Sequence, residues 1–182
     1  MQSRRVRAIT SRPNLPSWTA SPASAKRPLA IDPNANVVTD STSSICPPFY
    51  HDIYLGYSDI WDLIPDGPYD CVILLPFAKL GGSDYVAGLL ARSLTEQGLR
   101  VLILRTEQSD FERPDWFPEE AVNIDISQNI ARIPDVSRNR VLYELLRRSK
   151  ARQIFNVNSR LGFTTFEQFG QRLSTFCKLY CY

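Results

Sequence analysis

The chain has 182 residues, a net charge of +2 and ordinary composition apart from 13 prolines. That length holds one domain with its own core, and the charge is too small to argue for a nucleic-acid partner. No apolar run approaches the roughly 18 residues of a membrane span, and the N-terminus lacks the apolar core of a signal peptide.

Residues 1–45 are rich in Ser, Pro, Ala, Asn and Arg. Six basic residues (Arg4, Arg5, Arg7, Arg12, Lys26, Arg27) precede the first acidic one, Asp32. Such a segment buries too little to offset its chain entropy, so it is expected to be disordered. It reads as a solvated basic tail, or as an arm for a polyanion, an anionic membrane surface or an import receptor. Residues 46–70 are aromatic-rich. Phe49, Tyr50, Ile53, Tyr54, Tyr57, Ile60, Trp61 and Leu63 are too apolar for a free linker, so this stretch is expected to pack on the domain as an apron. Ser58–Ile64 reads as a short helix, and the Asp66-Gly67-Pro68 turn leads into a strand. The one histidine, His51, reads as an ordinary half-exposed residue or as a general base.

The chain is organised around Cys71–Arg105. The run from Cys71 to Leu75 is apolar without alternation and too short for a helix, which suits a parallel strand buried on both faces. Pro76 ends it. Gly81-Gly82 allows a sharp turn. Ser83 reads as an N-cap, with Asp84 in the first turn where the helix dipole favours a carboxylate. Val86, Leu89, Leu90 and Leu94 follow at helical spacing beside Ala87 and Ala91. Gly98 suits a left-handed C′ position, with Leu99 as the apolar residue after it. Val101–Leu104 returns as a second buried strand. Together these form a βαβ unit.

Thr106–Glu120 is a polar loop holding Phe111, Trp116 and Phe117, which either stack on a ligand or fold back on the core. Val122–Ile126 is a third strand. Ser137 reads as the cap of a helix over Arg138–Lys150, whose basic end suits a helix C-terminus. Gln153–Val157 is a fourth strand. Thr165 and Gln168 match a capping box, which places a further helix after Gly162. Cys177–Tyr182 runs into a fifth strand. The expected fold is α/β: an open parallel Rossmann-like sheet with helices on both faces. The alternation is still under way at Tyr182, so the sheet is expected to be incomplete at the C-terminus, with an apolar aromatic edge.

In open α/β sheets ligands bind beyond the carboxyl ends of the strands, near helix N-termini. Gly81, Gly82 and Ser83 are therefore the first candidate site, as a phosphate-approaching loop or as a turn that lets the helix meet the sheet. Neither G-x-G-x-x-G nor G-x-x-x-x-G-K-[ST] is present. Asn156, Asn158 and Ser159 end the fourth strand, where they bind ligand hydroxyls or form a capping turn. Cys177 and Cys181, one helical turn apart, lack the second ligand pair that closes a zinc site. The four cysteines read as reduced thiols.

From about Asp70 the chain resembles the N-terminal half of a GT-B glycosyltransferase of the family 4 kind. The stretch LLPFAKLGGSDYVAGLLARSLTEQGLRVLIL carries the likeness: a strand, a loop ending in paired glycines, an acidic residue, and an apolar helix ending in G-x-x-V before the next strand. IFNVNS at 154–159 is a second matching piece. The resemblance implies an acceptor-side Rossmann-like domain, residues 71–182, facing a donor-binding domain this chain lacks, so that the chain alone would be inactive. Gly81 and Gly82 would line the cleft near the donor diphosphate, and Asn156 or Asn158 stands where that family often has histidine. The implied substrates are a nucleotide sugar and a glycan acceptor. The resemblance implies no cofactor and no metal. No nucleic acid and no transmembrane segment are expected from charge and hydropathy, with a cytoplasmic location and peripheral membrane contact as further expectations. Two other classes fit the residues. One is a nucleotide- or dinucleotide-binding domain, with Glu107 placed for a ribose hydroxyl. The other is a non-catalytic interaction module that uses its edge strand and aromatic apron.

Overall fold

The computed structural model describes residues 48–182, and side chains from Gly56 onward. The expectation of disorder over 1–45 and the reading of His51 as a base lie outside the described residues and side chains.

Cys71–Leu75 forms strand β1, in which every residue is buried. Covering each of its large side chains contributes roughly 1.5–3 kcal/mol, and an uninterrupted run of them can be covered only by packing on both faces. The sheet accordingly places β1 at its centre, in the order β3-β2-β1-β4-β5. β2 is Val101–Arg105, β3 Val122–Asp125, β4 Gln153–Asn156 and β5 Lys178–Cys181. All neighbours are parallel; Cys71 is registered on both Val101 and Gln153. The sheet is open, α/β and Rossmann-like.

The strand order runs outward from β1 to β3 and then returns to β4. Helix α2 (Gly82–Glu96) packs on β1, β2 and the short 3₁₀ turn Pro114–Trp116. Helix α4 (Asp135–Ser149) and helix α5 (Arg160–Leu173) pack on each other. Cys71, Ile73 and Leu75 share one core with Ala87, Ala91 and Leu94 of α2. Strand alternation sends Val72 and Leu74 to the opposite face.

The apron is a 16-residue helix, α1 (Pro48–Leu63), longer than the Ser58–Ile64 expected. It packs on α4 and on the short helix α3 (Ser127–Arg132). Tyr57 and Ile60 are fully buried. Arg148 of α4 lies over the Trp61 ring at 4.8 Å and donates to Tyr57 Oη at 3.1 Å. Part of the basic end of α4 thus serves packing. The turn after α1 is held by Arg100, which donates to Asp66 O and lies over the Tyr69 ring.

Helix ends differ from the sequence expectations in three places. α2 begins at Gly82 with Gly81 as its N-cap, so Ser83 lies inside the helix. α4 begins at Asp135 after Pro134, which puts Ser137 in the first turn, where it is buried. α5 begins at Arg160, with Ser159 as the cap, so Thr165 and Gln168 are mid-helix. In each case an earlier turn residue had already set the entry into the helix. At the other end of α2 the expectation holds. Gly98 has φ 76°, its N–H donates to Thr95 O, and Leu99 N–H donates to Leu94 O, the paired bonds of a Schellman motif.

The sheet-facing stripe of α2 is mostly small: Ala87, Gly88 and Ala91 are buried with Leu94, while Val86 and Leu89 are exposed. A Cβ at Gly88 would stand 2.6 Å from the Trp116 carbonyl oxygen. Ala in place of Gly ordinarily stabilises a helix interior by about 1 kcal/mol. At Gly88 the clash reverses the sign, and Gly88→Ala is expected to destabilise by about 1–3 kcal/mol in urea unfolding. An unchanged or higher midpoint would show that the 3₁₀ turn yields freely.

Candidate functional site

The strand order reverses between β1 and β4, and a crevice in such a sheet opens beyond the carboxyl ends of those two strands. Three loops meet there: 76–81 after β1, the one after β2 and the one after β4. Leu75 O accepts both Thr106 N–H at 2.9 Å and Thr106 Oγ1 at 3.0 Å. Pro76 O accepts Glu107 N–H at 2.7 Å, and Ala78 O accepts Glu112 N–H at 3.0 Å. A parallel bridge between Ala78 and Phe111 continues this pairing past the strand ends. The loop after β2 is therefore one wall of the crevice. Its aromatics fold back on the core: Phe117 is buried beside Phe111, and Trp116 meets Tyr85 edge-on at 5.2 Å.

The loop after β4 forms a closed cap. Asn156 and Ser159 are fully buried. Asn156 Oδ1 accepts Ser159 N–H and its Nδ2 donates to Ser159 O, both at 3.2 Å. Ser159 Oγ accepts Gly162 N–H at 3.0 Å and lies 2.7 Å from Thr106 Oγ1. Because Thr106 donates to Leu75 O, the Ser159 hydroxyl donates to Thr106. One chain of hydrogen bonds then runs from α5 through two hydroxyls to β1. A Cβ at Gly162 would run into the Asn156 amide. These contacts occupy Asn156 and Ser159 in capping. Asn158, left-handed at φ 66°, stays exposed, and its N–H donates to Tyr182 O.

Two carboxylates stand at the helix N-termini. Asp84 is 2% exposed, and its Oδ2 accepts Lys79 N–H at 2.9 Å across the glycine loop. Glu107 Oε1 accepts Arg160 N–H at 3.3 Å, which engages the acid that a ribose hydroxyl would need. A Cβ at Gly81 would lie 3.1 Å from Asp84 Oδ2, whereas one at Gly82 would meet nothing within 4 Å. Gly82 is exposed and its φ is not positive. Gly81 is thus shaped by its neighbour, and Gly82 answers to no packing or backbone demand. No side chain caps α2, so its first amides keep the orphan donors of a helix start.

The two buried thiols are structural. Burial pushes the thiols of Cys71 and Cys177 up to about 11. Cys177 Sγ donates to Leu173 O at 3.2 Å, and Cys181 is exposed on β5, so the pair presents no twin thiolates. Among the described residues no cluster of His, Cys, Asp or Glu could hold a metal ion, and no helix is long and apolar enough to cross a membrane. A groove of about 630 Å³ between the C-terminal half of α2 and the 3₁₀ turn is lined by Glu96, Asp115, Glu119 and Glu120. It lies at the far end of α2 from the glycine loop.

Sequence reasoning missed the part played by Thr106. Its only signal was a hydroxyl placed directly after a buried strand, where a chain carbonyl needs a second partner. Comparisons with protein-family models, with curated proteins and with solved structures found no match.

Two outcomes follow for this region. Gly82→Ala is expected to leave stability unchanged or raise it by up to about 1 kcal/mol, since it shortens the unfolded ensemble without a clash; a loss in urea unfolding would reveal a constraint on that backbone. For the thiols, the folded values near 11 lie above the ordinary 9.0. Above pH 9 the unfolded chain releases protons that the folded chain keeps, so stability present below pH 9 falls between pH 9 and about 11. Thermal unfolding across that window should show the decline, and Cys177→Ala should reduce its slope.

Proposed function

We propose that the chain supplies the acceptor-side half of a two-domain glycosyltransferase, with the Gly81-Gly82 loop approaching the diphosphate of a nucleotide sugar. The observation that carries this reading is Gly82. It is a glycine that neither packing nor backbone geometry requires, at an uncapped helix N-terminus beyond the carboxyl end of the central strand. A bare backbone at that point lets an anion reach amide donors directly. The likeness of residues 71–105 to the family 4 GT-B pattern supplies the chemistry. Asn158 is the exposed polar residue at the end of β4 and faces the same crevice mouth in this reading, while Ser83 contributes its amide. The donor-binding domain is separate from residues 71–182.

The chain's own residues would bind and orient. Lys79, exposed on the glycine loop, is the nearby cation in the sequence of that loop. Asp84 holds the loop's shape through Lys79 N–H. The dinucleotide reading is less well supported, because Glu107 is engaged by Arg160 N–H.

The first test is binding. Titration of the full chain with uridine diphosphate glucose and with other nucleotide sugars, followed by amide NMR, is expected to shift Gly82 and Ser83 with weak, millimolar affinity, because exposed charge interactions are screened. Gly82→Val should abolish those shifts while the fold is retained. Shifts confined to other regions, or undiminished in Gly82→Val, would overturn the proposal. The second test is transfer. Holding donor and acceptor in near-attack geometry supplies about 7–11 kcal/mol of barrier reduction, and half a cleft forgoes most of it. The chain alone should therefore show no transfer to a panel of glycan acceptors, and turnover at ordinary enzymatic rates would refute the division of labour.

A further inference from the structure

β5 is the last strand of the sheet, and its outer side carries no strand among the described residues. Lys178 N–H donates to Arg152 O and Tyr182 N–H to Asn156 O, both toward β4. With a period of two, the N–H and C=O groups of Leu179 and Cys181 turn outward. The side chains of 178, 180 and 182 share the α2 side of the sheet. There Phe155 and Tyr180 stack at 4.6 Å with 10° between their planes. Val86 and Leu90 of α2 and Tyr182 complete an apolar trough over β4 and β5. The opposite edge, β3, differs: its residues are half-buried, and Arg105 braces it through Asn123 and Asp125.

We propose that β5 pairs antiparallel with β5 of a second copy of this chain, about a two-fold axis at Tyr180, to form one continuous sheet. A two-fold axis perpendicular to a sheet at its edge pairs the edge strand with itself antiparallel, residue i against j and j against i. Only the register centred on Tyr180 sets Leu179 opposite Cys181 of the other copy, so that every outward N–H and C=O of the two residues finds a partner. Centring on Leu179 would call on Cys177, whose N–H already donates to Leu173 O. In the Tyr180 register the two Tyr180 rings meet as a non-hydrogen-bonded pair, where side chains approach closest. Their spacing continues the Phe155–Tyr180 stack, because 4.6 Å between rings matches the strand spacing of about 4.7–4.9 Å. Lys178 faces Tyr182 of the other copy rather than the other Lys178, so no like charges oppose each other. The occupant suits the edge because the edge is complementary to itself.

Sedimentation velocity of the full 182-residue chain over a concentration series is expected to show a monomer–dimer equilibrium. Cys181→Pro removes an outward donor at an exposed residue and no ladder bond to β4, so it should leave a monomer with unchanged circular dichroism. Tyr180→Lys sets like charges across the axis and should do the same through a side chain that is 42% exposed; it decides the matter if the proline variant fails to fold. In a Cys181→Ser background, Tyr180→Cys should oxidise to a disulfide joining the two copies at position 180, and Leu179→Cys should not at position 179, as peptide mapping reads. A chain that stays monomeric at every concentration overturns the proposal. So does a dimer that persists in folded Tyr180→Lys, or a disulfide formed as readily through position 179.

Discussion

Burial of β1 on both faces is the constraint from which the rest follows. A strand with no solvent on either side cannot leave its backbone groups to water, so each must pair within the protein. Along the strand the ladders to β2 and β4 do this. Past its carboxyl end they stop, and the loops take over. Leu74 O accepts Val157 N–H, Leu75 O accepts both the amide and hydroxyl of Thr106, and Pro76 O accepts Glu107 N–H. Both neighbouring loops are thereby pinned at the place where the sheet opens a crevice. The Ser159–Thr106 hydrogen bond then ties one loop to the other. What is left less constrained at that end is the glycine loop. It meets the loop after β2 through the Ala78–Phe111 bridge and is held from within by the carboxylate of Asp84.

Much of this architecture was legible in the residues, and for physical reasons. An apolar run without alternation has one stable solution, a central parallel strand. The left-handed glycine at Gly98 followed by an apolar residue has one common use, the end of a helix. Helix starts were harder to read. Several residues near each start can act as caps, and which of them does so depends on tertiary contacts. Ser83 lost the position to Gly81 because Asp84 turns back to Lys79. Ser159 took it in α5 because Asn156, buried at the end of β4, fixes the turn ahead of it. The length of α1 was underestimated, although Ile53, Tyr57, Ile60 and Ile64 keep a helical spacing that runs back past Ser58.

The seating of α2 shows what periodicity leaves open. Periodicity identifies an apolar stripe, but it does not say which half of a wide stripe meets the sheet. The structure turns Ala87, Gly88, Ala91 and Leu94 inward, with Leu90 packed against the same core, and leaves Val86 and Leu89 exposed. Gly88 lies against Trp116 of the 3₁₀ turn, so the helix sits close there. Leu90 and Phe155 border that core, and with Val86, Tyr180 and Tyr182 they line a trough over β4 and β5.

The two acidic residues at the helix starts decide how strongly the crevice could hold an anion. A carboxylate at a helix N-terminus satisfies the dipole and, for an incoming phosphate, substitutes for it. Glu107 does so at α5, where it accepts the first amide directly. Asp84 is placed differently. Its Oδ2 takes the Lys79 amide of the loop, not an amide of the helix it belongs to. It stabilises the loop while leaving the opening amides of α2 uncapped, yet its negative charge stays close to whatever binds them. An anion at Gly82 would therefore gain backbone hydrogen bonds and a helix dipole, and would lose part of that gain to Asp84. Such a balance favours a polyanion whose remaining charge is met from elsewhere, as a diphosphate shared between two domains would be, over a lone phosphate held by this half of the cleft.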